Sequence, residues 1–96
     1  MHVISKAILR DFWEIHSEAK EFLQAWYREV KKEDWDRPAN IKEKYISASF
    51  VKDRVVFNIH GNRYRVVVKI NYEKRVVFVR FVGTHKEYDA IKVEEV

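Results

Sequence analysis

Apolar residues recur with a helical period over the first third of the chain. A short strand is predicted at 1–4, and Ser5 follows it as an N-cap whose hydroxyl can accept a free N–H of the first helical turn. The helix after Ser5 carries an apolar stripe made of Ile8, Leu9, Phe12, Trp13 and Ile15. A second helix is predicted from about Glu18 to Glu33, with Ser17 as its N-cap and with an apolar side made of Ala19, Phe22, Leu23, Trp26 and Val30. Two helices joined so closely should form a hairpin with one shared apolar face.

The period changes to two in the second half of the chain. The segment 35–38 interrupts the helical pattern, and 39–46 is predicted as a short helical turn. From Ser49 onward apolar and polar residues alternate, which predicts a β-meander. Gly61-Asn62 is predicted as a two-residue type II′ loop and Glu73-Lys74 as the next turn. The resulting register pairs His60 with Arg63, Asn58 with Arg65, Val56 with Val67, Asn71 with Val76, Lys69 with Phe78, and Val67 with Arg80.

This register separates two faces of the predicted sheet. One face is apolar and consists of Val55, Phe57, Ile59, Tyr64, Val66, Val68, Ile70, Val77, Val79 and Phe81. The other face carries Arg54, Val56, Asn58, His60, Arg63, Arg65, Val67, Lys69, Phe78 and Arg80. We therefore predict a single α+β domain over 1–96 with the order β-α-α-β-β-β. Its antiparallel sheet should be packed on one face by the helical hairpin and open on the other, with Trp13, Trp26 and Trp35 in the core.

Composition narrows the function classes. The 96 residues include no cysteine, which excludes disulfides, thiolate zinc sites and cysteine nucleophiles. No signal sequence or run of about 18 apolar residues is present, so a cytoplasmic protein without membrane contacts is expected. The net charge of +4 is unevenly placed, since the segment from Arg54 to Arg80 holds seven Lys and Arg residues and one acid, Glu73. Such a stretch is typical of a phosphate-binding surface, and equally of a solvated face.

The polar face is the first candidate site. Arg65, Lys69 and Arg80 are predicted to surround Val67, where cations on neighbouring strands could hold a phosphate backbone. His60 also lies on this face and could touch a substrate, although exposure explains it equally well. Cross-strand polar pairs on a solvated sheet are the alternative interpretation of the whole face.

The second candidate is the segment 83–89, directly after the last predicted strand. It places His85 and Tyr88 beside Arg80, and these groups can move protons near neutral pH. Metal-free RNA cleavage requires deprotonation of the 2′-hydroxyl, stabilisation of the phosphate and protonation of the 5′-oxygen, which one His, one Tyr and two Arg could supply. The alternative is a histidine that caps a turn and a tyrosine that covers the sheet edge. The four histidines show no metal-ligand spacing, so neither a metal nor another cofactor is expected.

Several strings of the sequence resemble the HigB toxins of type II toxin–antitoxin systems, within the RelE-like superfamily. They are FW at 12–13, AWY at 25–27, ASFV at 48–51, RVVFNI at 54–59, GNRYR at 61–65 and FVGTHKEYD at 81–89. The resemblance implies a small antiparallel sheet with an N-terminal helical hairpin. It also implies a ribosome-dependent endonuclease that cleaves mRNA in the A site. The implied partners are mRNA, the ribosome and a HigA-type helix-turn-helix antitoxin, with operator DNA bound only through the antitoxin complex.

The resemblance also suggests roles for individual residues. The expected catalytic set is Arg65, Arg80, His85 and Tyr88, with the arginines for phosphate charge and the other two for proton transfer or base stacking. The expected RNA-binding set is Asn58, His60, Arg63, Lys69 and Lys86. Two other functions remain open. One is a toxin of the same fold that poisons a protein such as DNA gyrase, and the other is an RNA-binding module without catalysis.

Overall fold

The computed structural model describes residues 1–96 and contains a five-stranded sheet with four α-helices. The elements in chain order are β1 (His2–Ile4), α1 (Lys6–Ile15), α2 (Lys20–Lys32), α3 (Pro38–Lys44), β2 (Ser49–Val51), β3 (Arg54–Ile59), β4 (Tyr64–Asn71), β5 (Val76–Thr84) and α4 (His85–Asp89). Two short 3₁₀ turns, Ser17–Ala19 and Val93–Glu95, complete the chain. None of the helices combines the length and the apolar character that crossing a membrane requires. The predicted α+β class is confirmed.

The N-terminal helices form one layer on the sheet. Their buried side chains follow the predicted stripes, and they belong to one core together with the apolar face of the sheet: Leu9, Trp13, Ala19, Leu23, Trp26 and Val30. Trp35 also lies in this core, so the expectation for all three tryptophans is confirmed. Ser5 stands at the N-cap position of α1 but its side chain makes no capping hydrogen bond. Ser17 begins a 3₁₀ turn and does not cap α2.

The sheet has the order β1-β5-β4-β3-β2. The strands β3 to β5 form the predicted antiparallel meander, and β2 adds a fourth strand that the predicted order β-α-α-β-β-β does not contain. The strand β1 pairs with β5 in parallel, so the sheet is mixed and not wholly antiparallel. A parallel pair needs a long connection, and the helices and the meander between β1 and β5 provide one. The expectation of an entirely antiparallel sheet is corrected in this respect.

The predicted register holds for the ladder of β3 with β4 and for the first part of the ladder of β4 with β5, where Lys69 pairs with Phe78. Val56 pairs with Val67 and Asn58 with Arg65, as expected. The turn between these strands differs, because His60 and Gly61 both have positive φ, 53° and 65°, and the loop spans residues 60–63. The predicted type II′ loop at Gly61-Asn62 is therefore wrong, although the register that it defined is right. Asparagine and histidine tolerate the left-handed region better than most residues, which makes His60 acceptable there.

A β-bulge at Arg80 changes the register of the last strand. Val79 pairs with Val68 and Phe81 pairs with Val67, so Arg80 is left without a partner and the predicted pairing of Val67 with Arg80 is wrong. An extra residue in one strand exchanges the faces beyond it. Phe81 accordingly leaves the main core, and Val82 packs against that core instead.

The second face of the sheet, opposite the helices, is partly covered. Val56 and Val67 form a small buried cluster there with Val93, and Phe81, Tyr88, Ile91 and Val96 pack around it. The residues after β5 thus fold back across the middle of the face that was expected to be open. The basic residues lie on both sides of this covered strip.

Candidate active site

One end of the second face is built by Arg65 and the short helix α4. The guanidinium carbon of Arg65 lies 5.4 Å from the centroid of the Tyr88 ring, a cation–π distance. An Nη of Arg65 also donates to the carbonyl of Asn62 at 3.1 Å, which restrains the side chain near the hairpin loop. Tyr88 is half-buried because its ring packs against the small cluster on this face. Arg65 and Tyr88, two of the four predicted catalytic residues, are therefore in contact.

His85 begins α4 beside this pair. Its Nδ1 lies 3.7 Å from a carboxylate oxygen of Asp89, one helical turn later, and both side chains are more than half exposed. A carboxylate at this distance can orient the imidazole ring. Sequence reasoning missed Asp89, although its i, i+4 spacing from His85 on a helix was a usable signal.

The position of α4 is set by a capping box and by the neighbouring turn. The N–H of Glu87 donates to the hydroxyl of Thr84 at 3.2 Å, and the N–H of Thr84 donates to the carboxylate of Glu87 at 2.8 Å. The N–H of His85 donates to the carbonyl of Arg63 at 3.0 Å, which ties α4 to the loop between β3 and β4. Lys86 is exposed on the same helix. The imidazole of His85 and the phenol of Tyr88 thus lie on a helix that is held by hydrogen bonds within its first turn and to the neighbouring loop.

The other end of the second face is a cluster of three cations. Arg54 is buried and donates to the main-chain oxygen of Val96 through Nε at 3.0 Å and Nη2 at 2.6 Å. Arg80 is exposed and reaches the same oxygen through Nε at 3.4 Å. Lys69 lies 3.4 Å from the carboxylate of Asp53, which also binds Arg54 at 2.6 Å. The C-terminal residue therefore occupies hydrogen-bonding positions of two arginines.

Asp53 is the acidic partner that sequence reasoning missed on this face. Partial desolvation raises its pKa, but the hydrogen bond from Lys69 and the charge of Arg54 outweigh that effect and hold the pKa of Asp53 below its usual value. At neutral pH the carboxylate is charged and neutralises part of the basic cluster. Its position in the turn before β3 follows from the hairpin of β2 and β3, which the sequence pattern did not resolve.

The structure does not bring all predicted site residues together. They are divided between the α4 end, with Arg65, His85 and Tyr88, and the cluster with Lys69 and Arg80. Asn58 is used within the fold, since its Nδ2 donates to the carbonyl of Ser47 at 3.3 Å.

Two further predicted RNA contacts lie nearer the helical layer. His60 stacks on Phe22 of α2, with ring centroids 4.0 Å apart and an interplanar angle of 8°, so its placement on the polar face is wrong. The positive φ of His60 directs it out of the strand alternation. Arg63 contributes to the low pKa of Glu18, which is lowered first by a backbone hydrogen bond, then by the Tyr64 hydroxyl and by the charges of His16 and Arg63. The charge of Arg63 therefore acts on the carboxylate of Glu18, on the side of the helical layer.

The chemistry available on the second face comes from its own side chains. No group of three or more His, Asp or Glu side chains has an arrangement that could hold a metal ion. Arg65 supplies a fixed positive charge for a phosphate, while His85 and Tyr88 supply a group that can accept a proton and a group that can donate one. These are the functional groups that transesterification of a phosphodiester by a neighbouring hydroxyl requires.

The sequence is similar to those of known proteins. A sequence model of a family described as HigB_toxin, the RelE-like toxic component of a toxin–antitoxin system, matches residues 19–91. The mRNA interferase toxin HigB of Escherichia coli K12 is 33% identical over 92 residues, which cover 93% of this chain and 88% of the relative. The mRNA interferase HigB of Shigella flexneri matches to the same extent. The mRNA interferase HigB of Escherichia coli O6:H1 is 29% identical over 94 residues, which cover 95% of this chain and 91% of the relative.

The matched region begins at the end of the first 3₁₀ turn and ends after α4, so β1, α1 and the final 3₁₀ turn lie outside it. It includes α2, the four strands of the meander and the whole of α4. A toxic component of such a system implies an antitoxin that binds it. The chain belongs to the HigB family of RelE-like toxins, the toxic components of toxin–antitoxin systems.

Proposed function

We propose that this chain is an endoribonuclease that cleaves mRNA in the ribosomal A site without a metal ion and thereby arrests growth from within the cytoplasm. The contact between Arg65 and Tyr88, with His85 one turn away on α4, is the observation that carries the proposal. The names of the relatives, mRNA interferases, support the same reaction.

The proposed reaction begins at the 2′-hydroxyl next to the bond that is cut. His85 or Tyr88 removes its proton, and the 2′-oxygen attacks the phosphorus. Arg65 stabilises the additional negative charge of the phosphorane, and Arg80 holds a neighbouring phosphate of the RNA at the other end of the face. The other of the two proton-transfer groups then protonates the departing 5′-oxygen, leaving a cyclic phosphate and a free 5′-hydroxyl.

The proposal also assigns contacts with the RNA backbone and with protein partners. Lys69 and Lys86 are exposed cations at opposite ends of the second face, and we assign both to the RNA backbone. The ribosome presents the mRNA, and a helix-turn-helix antitoxin of the HigA type restrains the toxin until it is removed. Operator DNA is bound by the complex through the antitoxin and not by this chain.

The test is induced expression of the chain with and without its antitoxin, with the 5′ ends of cellular mRNA mapped. Codon-linked cuts and growth arrest are expected for the natural sequence, and neither for Arg65→Ala or His85→Ala. Arg10→Ala, an exposed arginine on α1, is the matched control and should retain both. Growth arrest with intact mRNA and damaged DNA would instead indicate a gyrase-type target. Salt-sensitive RNA binding without any cuts on ribosomes would indicate a binding module.

A further inference from the structure

An open groove of about 560 Å³ lies at the end of the sheet where β4 and β5 are joined. It is lined by Lys69, Ile70, Asn71, Tyr72, Phe78 and Arg80. Lys69 stands four residues from Arg65 along β4, a separation of about 13 Å in an extended strand. A phosphate held by Arg65 cannot reach the groove at that distance, because a charge-assisted hydrogen bond spans about 2.7–2.9 Å. The groove is therefore separate from the contact between Arg65 and Tyr88.

Phe78 is the feature of this groove that the fold does not explain. It is half-exposed, belongs to neither hydrophobic cluster and stacks on no other aromatic ring. It lies in a non-edge strand between Ile4 of β1 and Lys69 of β4, beside Arg80 in the same groove. An aromatic ring in that position adds little to the core, and its apolar surface remains available to a ligand.

The other walls supply polar groups beside the ring. Asn71 accepts a hydrogen bond from the N–H of Lys74 through Oδ1 at 3.0 Å, and its Nδ2 has no partner. Tyr72 is half-exposed, and Arg80 and Lys69 are exposed. Two aromatic rings, one amide donor and two cations within one groove match the chemistry of an unpaired nucleotide. A base stacks on a ring, its edge accepts from an amide, and its phosphate binds the cations.

We infer that this groove is a subsite for one unpaired nucleotide of the RNA, outside the bond that is cut, with its base stacked on Phe78. The inference rests on the proposed function, because it extends the same RNA path along the second face. The charge around the groove favours a polyanion over an apolar peptide, since Lys69 and Arg80 are both exposed cations and Asp53 pairs with Lys69 but not with Arg80. The base on Phe78 would add a sequence preference at one position at a fixed distance from the cut.

The first experiment measures binding of a fluorescein-labelled single-stranded oligoribonucleotide of about ten nucleotides to the purified full-length chain. Phe78→Leu should weaken binding about ten-fold, as expected for loss of one stacked base. Phe78→Trp should restore binding, because the larger ring still stacks. Phe50→Leu is the matched control, since Phe50 is 40% exposed on the edge strand β2, and it should bind as the natural sequence does. Natural affinity in Phe78→Leu, or equal losses in the Leu and Trp variants, would overturn the inference.

The second experiment maps mRNA 5′ ends after induction of the same variants. Phe78→Leu should retain the cuts but lose the nucleotide preference at one position beside them, whereas Phe50→Leu should keep it. If the natural chain cuts mRNA and Phe78→Leu has the same cutting profile and RNA affinity, the subsite is wrong while the proposed function stands. If the natural chain binds the oligoribonucleotide through Phe78 but cuts no mRNA, the proposed function fails and the subsite stands.

Discussion

The guanidinium of Arg65 in β4 contacts the ring of Tyr88 in α4, with 5.4 Å between the guanidinium carbon and the ring centroid. The contact joins a strand residue in the middle of the sheet to a helix residue near the end of the chain. Tyr88 meanwhile packs against the apolar cluster that contains Val67. Its ring therefore has a structural role, and only its hydroxyl is left for proton transfer.

Replacement of Tyr88 by Phe separates these two roles. The ring would still pack and still face Arg65, so the urea midpoint of unfolding should change little. If the phenol transfers a proton, the cleavage rate on programmed ribosomes should fall by about 10²- to 10⁴-fold. Tyr88→Leu should lose activity and also stability, because it removes the cation–π contact, which contributes about 0.5–1 kcal/mol at an exposed site. Cleavage by Tyr88→Phe at the natural rate would limit Tyr88 to packing or stacking.

Gly83 permits the close approach of β5 to the start of α4. A Cβ at this position would lie 2.5 Å from Cζ of Phe81 and 3.2 Å from Cβ of Glu87. Gly83→Ala should therefore lower the free energy of unfolding by about 1–3 kcal/mol, as overpacking usually does. Urea denaturation checks the value, and the double variant Gly83→Ala/Phe81→Leu should recover part of the loss. A Gly83→Ala protein as stable as the natural one would contradict this account.

Asp53 restrains the basic cluster, since it binds both Arg54 and Lys69. Asp53→Asn should increase affinity for a single-stranded oligoribonucleotide, because one negative charge is removed beside the proposed RNA path. The slope of log K against log salt should steepen by up to about 0.7 for one additional phosphate contact. Asp11→Asn, on the exposed side of α1, makes the same charge change away from the sheet and should leave both quantities unchanged. Weaker binding by Asp53→Asn would mean that the carboxylate positions Arg54 for RNA.

Tyr45 carries a buried hydroxyl without a hydrogen-bond partner. Its burial, and then the charges of Glu29 and Glu33, raise its pKa far above the usual value, so folding favours the neutral phenol. The associated stability is complete below the pKa of an unfolded tyrosine, about 10, and is lost as the pH rises above it.

Tyr45→Phe should therefore stabilise the protein by about 1 kcal/mol at neutral pH, because it removes an unpaired polar atom and keeps the ring. The ring contacts with Trp35 and Phe57 remain in this variant. Its alkaline unfolding midpoint should move to higher pH. Tyr27→Phe is the control, since its hydroxyl is not among the buried unpaired atoms. Circular dichroism between neutral pH and pH 12 measures both effects, and an unchanged alkaline midpoint would count against them.

The helices and most of the sheet could be predicted because their periods are unambiguous. Leu9, Trp13, Leu23 and Trp26 recur at helical spacing, and all are buried where the pattern placed them. The face of β4 was equally clear, since Val66 and Val68 alternate with Arg65 and Lys69 in the sequence and in the structure. Burial of one face alone sets the register of such strands.

The bulge could not be predicted because the residues that follow Arg80 in β5 do not mark it. Phe81 and Val82 are both apolar, so either one could face the core, and uninterrupted alternation predicts Phe81 there. The covering of the second face by the residues after β5 could not be predicted for a different reason. It depends on one apolar residue, Val93, and on a main-chain oxygen of Val96 that any residue type would provide. The sequence pattern predicted Tyr88 beside Arg80, whereas the structure places it against Arg65, and the chemistry of both residues came from the resemblance to a known family.

Because Arg80 is the unpaired residue of the bulge, the side of the sheet on which β5 ends and α4 begins depends on the number of residues in β5. Removal of that one residue would make Phe81 follow Val79 directly and keep it opposite Val67, so the start of α4 would stay on its present side of the sheet. Insertion of one more residue would instead exchange the faces beyond it and turn the start of α4 toward the wrong side. Insertions in β5 should therefore damage this protein more than most substitutions there. A library of single-codon insertions would have its sharpest loss of toxicity along this strand, including at positions where every point substitution is tolerated.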